Sequence, residues 1–288
     1  MRRLMVVLVL FASLFTFVGT QAQTPDVTET PESCSPAIQT DAASITFVNY
    51  TARPVSVFWV ESNCQETSYA TLKAGDSYTQ ATYVGHVWRI RDQETNDVIL
   101  EYAAQDSTPV TIPIGGFAPT PENPACTPNA QTDAITLTFV NYTSRPVALY
   151  WVGYDCKQQK YATLKPGDSV DQPTYVGHHW LVRDDAADLN LMDFAASDAT
   201  NMIVPIGVLF VSPGDTCSSN SSTALNYTFV NTTSRAVDVV WVDQNCKEQT
   251  YTTLDAGQTY NQQTYEGHVW RLYDHDNHLL LAEIIAGQ

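Results

Sequence analysis

The feature that most constrains this chain is that it repeats itself three times. The run Thr-Phe-Val-Asn-Tyr-Thr begins at Thr46 and again at Thr138, and Thr-Phe-Val-Asn-Thr-Thr begins at Thr228. Downstream, a run of the form Thr-Tyr-x-Gly-His-x-Trp begins at Thr82, Thr174 and Thr264. The period of about 92 residues is the length of a domain rather than of a solenoid repeat. We therefore expect three copies of one folding unit, each with its own core, arranged as beads on a string.

The local pattern inside each unit indicates strands and turns. The apolar residues Val55, Val57 and Trp59 occur at every second position, and the same alternation recurs in the other two copies. Turn-forming runs such as Ala74-Gly75-Asp76 separate short stretches that are rich in Val, Thr, Tyr and Trp. No stretch shows sustained helical periodicity. Short strands with frequent turns predict an all-β fold made of tandem β-sandwich domains.

The first 22 residues read as a targeting segment. Met-Arg-Arg is followed by an apolar run from Leu4 to Val18 and a small-residue exit that ends at Ala22. This pattern predicts a secretory signal peptide cleaved after Ala22, and therefore a secreted, extracytoplasmic protein. An uncleaved membrane anchor is the alternative, although the apolar run falls short of the roughly 20 residues that span a bilayer.

Composition divides the rest of the chain into domains and linkers. The segments between the repeats are rich in proline and poor in charge, which is typical of semi-rigid spacers. Domain 3 reaches Gln288 without a counterpart of the run from Val110 to Ile114, so it lacks a last strand or completes its sheet with another segment. The predicted divisions are a Pro/Thr-rich segment at 23–40, domain 1 at 41–116, a Pro-rich linker at 117–130, domain 2 at 131–211, a linker at 212–224 and domain 3 at 225–288.

The cysteines follow the same period as the repeats. An even number of cysteines in an exported chain indicates disulfides, because the compartment beyond the membrane is oxidising. The two cysteines of each copy are separated by 30, 30 and 29 residues. We expect each pair to form within one copy. Pairing between neighbouring copies is the alternative. The predicted disulfides are Cys34–Cys64, Cys126–Cys156 and Cys217–Cys246.

Charge and motif content exclude several classes of function. The chain has 31 acidic and 14 basic residues, a formal net charge of −17. Nucleic acid and anionic lipid both require a cationic surface, so neither is an expected partner. No later segment is long and apolar enough to insert into a membrane once the signal peptide is removed. The sequence contains no nucleophile elbow, zinc-protease helix, phosphate loop or dinucleotide fingerprint, so we expect a non-enzymatic protein without cofactor or metal.

Five polar or aromatic residues recur in register in all three copies, and they are the candidate ligand-binding residues. Side chains at even offsets along a strand share one face, so Thr82, His86 and Trp88 are expected to point the same way from a single strand. A hydroxyl, an imidazole and an indole side by side suit a small ring that carries one hydroxyl. A purely architectural role is the alternative. The candidates are Trp59, Tyr69, Thr82, His86 and Trp88 in the first copy, Trp151, Tyr161, Thr174, His178 and Trp180 in the second, and Trp241, Tyr251, Thr264, His268 and Trp270 in the third.

These residues carry a resemblance to a known family. The frame Phe-x-Asn-x-[Ser/Thr], a strand ending in Trp, Tyr-x-Thr-Leu, a Gly turn, Tyr-x-Gly-His-x-Trp and Arg-Asp resembles the β domain of the von Hippel-Lindau tumour suppressor. In the first copy this frame runs from Phe47 to Asp92. The other copies match it as well, except that Tyr273-Asp274 replaces Arg-Asp in the third. The resemblance implies a seven-stranded sandwich that binds peptides containing 4-hydroxyproline.

The resemblance also implies a role for each candidate residue. A Trp, Tyr, Ser, His and Trp set lines the family's pocket, and these positions correspond to Trp59, Tyr69, Thr82, His86 and Trp88 and their counterparts. The Ser and His bond the ligand's hydroxyl, and the Tyr bonds the peptide backbone. Thr replaces Ser in all three copies and keeps the hydroxyl. The helical domain that recruits a ubiquitin-ligase scaffold has no counterpart here, so no such partner is expected.

Two functions are compatible with these observations. The first is a secreted binding protein whose three modules recognise proline- or hydroxyproline-containing extracellular peptides, with avidity where the spacing of the target motifs permits. The second is a structural or cell-surface spacer, or an adhesion protein, built from β-sandwich repeats without a hydroxyproline pocket.

Overall fold

The computed structural model describes residues 34–38, 41–117, 124–128, 133–195, 199–208 and 214–287, together with the backbone of Val6–Val7. Every regular element within these ranges is a β-strand. No helix in this part of the chain has the length and apolarity needed to cross a bilayer. The predicted signal peptide, apart from Val6–Val7, lies outside the described residues, as do residues 23–33 and 39–40 of the N-terminal segment and parts of both predicted linkers.

Unit 1 (34–117) consists of one four-stranded and one three-stranded sheet. The strands are β2 (Ala42–Asn49), β3 (Val55–Val60), β4 (Glu66–Leu72), β5 (Ser77–Tyr83), β6 (Val87–Asp92), β7 (Val98–Ala103) and β8 (Val110–Ile114). The larger sheet has the order β4-β3-β6-β7 and the smaller one the order β5-β2-β8. All neighbours are antiparallel except β2 and β8, which run parallel.

Units 2 (124–208) and 3 (214–287) repeat this topology. Unit 2 contains β9 (Ala134–Asn141), β10 (Val147–Val152), β11 (Gln158–Leu164), β12 (Ser169–Tyr175), β13 (His179–Asp184), β14 (Leu189–Ala195) and β15 (Met202–Ile206). Unit 3 contains β16 (Ala224–Val230), β17 (Val237–Val242), β18 (Glu248–Leu254), β19 (Thr259–Tyr265), β20 (Val269–Asp274) and β21 (Leu280–Ile285).

The short strand β1 (Val6–Val7) occupies the place in unit 3 that β8 and β15 occupy in the other units. It pairs in parallel with β16, and Val6 lies opposite Phe229. Ile112 of β8 lies opposite the equivalent Phe47, so the register is the same. In the full-length chain another segment therefore contributes to the third sheet, which is one of the two expected arrangements. Cleavage after Ala22 would remove β1 and leave β16 as an edge strand, which is the other arrangement.

The two sheets of each unit share one core. In unit 1, Ile45 and Phe47 from the smaller sheet and Val55 and Val57 from the larger one are completely buried and belong to one apolar cluster. Burial alternates along β2 and along the first part of β3, as the period-two pattern predicts. Burial of such side chains contributes about 1.5–3 kcal/mol each, so this shared cluster is the main source of stability in a unit.

A disulfide closes each unit. The pairs are Cys34–Cys64, Cys126–Cys156 and Cys217–Cys246, so the predicted pairing within units is confirmed. No free cysteine is present in the described part of the chain. The residue after the first cysteine of a pair is also hydrogen-bonded to its own unit, as Ser35 N donates to Val60 O.

The three units contact one another in a closed ring, so the expectation of separate beads is wrong. Ser144 N of unit 2 donates to Tyr50 O of unit 1 over 2.8 Å, and Ser234 N of unit 3 donates to Tyr142 O of unit 2 over 2.9 Å. Ala52 N of unit 1 donates to Thr232 O of unit 3 over 3.0 Å and completes the circle. The arrangement as a whole is propeller-like rather than a row of independent sandwiches.

An arginine reinforces each contact between units. In unit 1, Arg53 Nε donates to Asp92 Oδ2 at 2.7 Å, and its Nη1 donates to Gly257 O of unit 3 at 2.5 Å. Arg145 and Arg235 make the equivalent pairs in units 2 and 3 and reach the equivalent turns of units 1 and 2. Each guanidinium therefore neutralises a buried carboxylate and also donates a hydrogen bond to the neighbouring unit. The ion pair offsets part of the cost of burying the carboxylate.

Candidate functional site

The candidate residues come together at a tight turn between the two sheets of each unit. Thr82 is the penultimate residue of β5 in the smaller sheet, Trp88 lies on β6 in the larger sheet, and His86 lies in the turn between them. Gly85 has a φ of +83°, a conformation that glycine adopts without strain, and His86 N donates to Tyr83 O at 3.0 Å. The prediction that Thr82, His86 and Trp88 share one strand is wrong, because this turn carries the chain from one sheet to the other.

The turn nevertheless brings the three side chains into one hydrogen-bonded group, here called the Thr–His–Trp triad. Trp88 Nε1 donates to Thr82 Oγ1 at 3.1 Å, and Thr82 Oγ1 lies 3.2 Å from His86 Nδ1. The other units repeat this geometry: the Trp–Thr distances are 3.2 and 2.9 Å, and both Thr–His distances are 3.2 Å. The members in units 2 and 3 are Thr174, His178 and Trp180, and Thr264, His268 and Trp270.

The triad fixes the direction of its hydrogen bonds. An indole N–H can only donate, so Thr82 Oγ1 accepts from Trp88. The buried threonine hydroxyl then has its own proton to donate, and His86 Nδ1 is the acceptor within reach. This arrangement requires a neutral imidazole protonated on Nε2. The triad thus presents a hydroxyl donor and an imidazole acceptor side by side.

Aromatic rings surround the triad. In unit 1, the Trp59 ring stacks on the His86 ring with centroids 5.3 Å apart and an interplanar angle of 27°. The Tyr69 ring meets the Trp88 ring edge-on at 5.0 Å. In units 2 and 3 the corresponding tryptophans, Trp151 and Trp241, lie 5.6 and 5.4 Å from their histidines. The corresponding tyrosines, Tyr161 and Tyr251, lie 5.1 and 4.9 Å from their tryptophans.

Trp59 contacts both the core of its unit and the triad. It packs against the apolar core of unit 1, and its Nε1 donates to Ser35 Oγ at 2.9 Å. The pairing of β3 with β4 shifts register at Val57/Phe58, where β4 contains one additional residue, Tyr69. Trp59 is half-buried, whereas Val55 and Val57 are buried completely. One face of the indole remains available to stack on His86.

The site is open on one side only. Thr82, His86 and Trp88 are 4, 6 and 2% exposed, whereas Tyr69 is 43% exposed. Three cavities of about 690, 260 and 310 Å³ occur elsewhere on the described surface, and no candidate residue lines them. Tyr69, which contacts Trp88, is therefore the exposed candidate residue of unit 1 beside an otherwise buried triad.

Burial also affects the site histidines, His86, His178 and His268. Desolvation lowers the pKa of each of them, because a buried imidazole loses the hydration that stabilises its charged form. The site histidines are therefore neutral near pH 7. This is the protonation state that lets Nδ1 accept a hydrogen bond.

Two kinds of aromatic residue near the triad were missed. Tyr83 and its counterparts Tyr175 and Tyr265 lie 5.3 Å from the site histidine of their unit. Their position in the repeated Thr-Tyr-x-Gly-His run was the available signal. Tyr154, in contrast, occurs in unit 2 alone, at the position of Ser62 in unit 1, so no repetition could reveal it.

The structure offers no grouping of metal ligands. Within the described ranges, no three His, Cys, Asp or Glu side chains are placed as a metal ion would require. The chemistry available at the triad is hydrogen bonding and aromatic packing.

Three copies of a disulfide-closed β domain, each with an aromatic-lined group of hydrogen-bonding side chains, define a repeat protein of binding-type β domains. The sequence profile described as VHL beta domain matches residues 34–105, 126–198 and 216–283. These matches cover most of the chain, which belongs to the VHL beta domain family. The resemblance expected from the sequence is thereby confirmed.

Other comparisons add little. No curated protein matches the sequence. Among solved structures, the Bacillus anthracis TIE protein is 6% identical with a TM-score of 0.20, and the match covers 85% of this chain and 48% of that protein. A Klebsiella pneumoniae pullulanase complexed with maltotriose is 16% identical with a TM-score of 0.20, and the match covers 88% of this chain and 32% of the pullulanase. Lac15 from a marine microbial metagenome is 13% identical with a TM-score of 0.17, and the match covers 88% of this chain and 89% of Lac15. Scores this low carry no argument about function.

Proposed function

We propose that this chain is a secreted, non-enzymatic binding protein whose three sites recognise proline-containing peptides through a hydroxylated ring. The observation that carries the proposal is the Thr–His–Trp triad. An alcohol accepts one hydrogen bond and donates another, and the triad offers one donor and one acceptor at adjacent atoms. The hydroxyl of 4-hydroxyproline inserted between Thr82 Oγ1 and His86 Nδ1 would accept from the first and donate to the second.

The surrounding rings support a cyclic ligand. Trp59 and Tyr69 contact the rings of the triad, and a compact pyrrolidine ring is the part of a peptide that packs well against aromatic faces. Membership in the VHL beta domain family favours the same ligand class. The extra methyl group of Thr82, relative to the serine of the family pattern, narrows the space for this ring.

Export is part of the proposal. The three disulfides are compatible with an oxidising, extracytoplasmic compartment. The basic start and apolar run before Ala22 supply a route to that compartment. N-terminal sequencing of protein recovered from the medium is expected to begin at Gln23, and a product that retains Met1 would contradict this part of the proposal.

A calorimetric titration of the full chain with paired hydroxyprolyl and prolyl peptides tests the binding function. We expect the hydroxyprolyl peptide to bind more tightly, because its hydroxyl would replace the single Thr–His hydrogen bond by two, whereas the prolyl peptide adds none. Replacing all three site histidines by alanine is expected to remove the preference. If the triple variant still distinguishes the two peptides, the assignment of the pocket is wrong.

A spacer function is the second candidate, and one observation favours it. The triad residues of units 1 and 2 are more than nine-tenths buried and already bond to one another, and none of the cavities described above adjoins them. A triad of this kind could simply join the two sheets of a unit. In that case neither peptide binds, and replacement of the site histidines changes stability alone.

A further inference from the structure

The second site differs from the other two by one additional aromatic residue, Tyr154. It lies in the turn after β10, where unit 1 has Ser62 and unit 3 has Gln244. Its ring meets the Trp151 ring edge-on with centroids 5.4 Å apart, and it lies 6.1 Å from the His178 ring at an angle of 85°. His178 therefore has aromatic neighbours on three sides, Trp151, Tyr154 and Tyr175.

The neighbouring residue makes this arrangement possible. Gly153 precedes Tyr154 at a position where unit 1 has Glu61 and unit 3 has Asp243. A Cβ atom at Gly153 would lie 3.4 Å from Trp151 Cζ3 and 3.1 Å from Asp155 Oδ1. The glycine thus leaves the edge of the Trp151 ring uncovered on the side where Tyr154 packs.

The turn that carries Tyr154 is held firmly. Gly153 N donates to Lys157 O at 2.8 Å, Cys156 N donates to Gly153 O at 3.0 Å, and Cys156 is joined to Cys126. Tyr154 remains 40% exposed at the rim of the site. A ring that is exposed but fixed in position loses little conformational freedom when a ligand packs against it, which favours binding.

A polar atom inside this group of rings has no partner. His178 Nε2 is buried and has no hydrogen-bond partner, and the direction of the bonds in the triad makes it an N–H donor. A buried donor without an acceptor is costly and is rare in folded proteins. A peptide carbonyl beside the bound ring would satisfy it.

We infer that Tyr154 makes the second site selective for peptides in which a second pyrrolidine ring adjoins the recognised one. This inference rests on the proposed function. The adjoining ring packs against Tyr154, and the carbonyl next to it accepts from His178 Nε2. Units 1 and 3 have no aromatic residue at this position, so they tolerate any residue there.

The test uses the full chain with one active site at a time. The double variant His86→Ala/His268→Ala retains site 2, and His178→Ala/His268→Ala retains site 1. Each is titrated with two peptides that differ only in whether proline or alanine adjoins the hydroxyproline. With site 2 active, we expect the Pro-Hyp peptide to bind roughly two- to tenfold more tightly, the range of one aromatic contact. With site 1 active, we expect no difference between the peptides.

Two substitutions assign the difference to Tyr154. Tyr154→Ser in the site 2 background is expected to remove the preference and Tyr154→Phe to keep it, because the ring rather than the hydroxyl makes the contact. Glu61→Gly/Ser62→Tyr in the site 1 background is expected to introduce the preference. The unfolding midpoint of each variant confirms that the exposed turn tolerates the change.

The outcomes separate the two proposals. If neither background binds either peptide, the proposed function fails. If both backgrounds bind the peptides but site 2 shows no preference, or keeps its preference after Tyr154→Ser, the role of Tyr154 is refuted and the proposed function stands.

Discussion

Tyr50 offers the sharpest test of the closed arrangement of the three units, because its hydroxyl donates a hydrogen bond from unit 1 to unit 2. It donates to Asp184 Oδ2 at 2.9 Å, and both residues are almost completely buried, at 2 and 1% exposure. Burial raises the pKa of Tyr50, so the phenol remains protonated and able to donate. Removing this hydroxyl without changing the ring is the cleanest perturbation of the contact.

The expected cost of Tyr50→Phe follows from what Asp184 retains. A hydrogen bond to a charged group contributes about 1.5–3 kcal/mol. Asp184 keeps its bond from Arg145 Nε at 2.6 Å and those from the backbone N–H groups of Ala186 and Ala187. No unpaired charge is left, so we expect the lower part of that range, about 1.5–2 kcal/mol.

Tyr50→Thr copies the residue that unit 3 has at this position, Thr232. It removes the hydroxyl and also a ring that packs edge-on against Phe117 at 5.0 Å and beneath the Arg145 guanidinium at 5.6 Å. Replacement of a buried aromatic side chain by a small one costs about 3–5 kcal/mol. Thr232→Ala is the matched control: Thr232 meets unit 1 through its backbone carbonyl, so the expected change is only about 0.5 kcal/mol.

Urea denaturation of the full chain, followed by tryptophan fluorescence with the disulfides intact, measures these differences as shifts of the midpoint at constant slope. The units contribute separate transitions if their contacts are weak, and the transition that includes unit 1 is then the one to follow. If Tyr50→Phe shifts the midpoint no more than Thr232→Ala does, the units do not contact each other in solution as described.

Three further predictions concern the site and the disulfides. Thr264→Val leaves the buried Trp270 indole N–H without its acceptor and is expected to cost about 1–3 kcal/mol in urea denaturation, whereas Thr264→Ser should restore most of that loss. The lowered pKa of the site histidines means that the unfolded chain binds more protons, so stability should fall as the pH drops below about 6.5. A triple His→Gln variant should flatten this profile between pH 7 and about 5.5, and an unchanged slope would contradict the assignment. Replacing Cys217 and Cys246 by serine should lower the free energy of unfolding by about 3–4 kcal/mol, because the unfolded chain regains the entropy of a loop of this length. An unaltered thermal midpoint would refute this prediction.

Local and repeated features of the fold were predictable from the sequence. The period-two alternation, the two cysteines in each copy and the recurring Thr, His and Trp residues led to the strands, the disulfides and the grouping of the triad. The error about Thr82 and Trp88 has a local cause. Tyr83-Val84-Gly85 reads as a continuation of a strand, but the positive φ of Gly85 reverses the chain and transfers it to the other sheet.

The closed arrangement of the three units was not predictable from the sequence, because the residues that form the contacts between units look like ordinary surface or turn residues of their own unit. Arg53, Arg145 and Arg235 recur in register, but spacing alone does not reveal that each one reaches a turn carbonyl of another unit. Tyr154 was missed for the opposite reason: it is found once, and repetition was the signal used to select candidates. Contacts between elements that are distant in sequence, and features unique to one copy, require coordinates.

The closing contact between Ala52 and Thr232 holds the first and third copies at a set separation. Under the proposed function, the three sites would therefore lie at fixed distances from one another. Tethered domains that tumble freely would adapt to many spacings of a repeated target and lose entropy each time. A rigid ring of units would instead bind at full strength only to a polymer whose motifs recur at the matching distance.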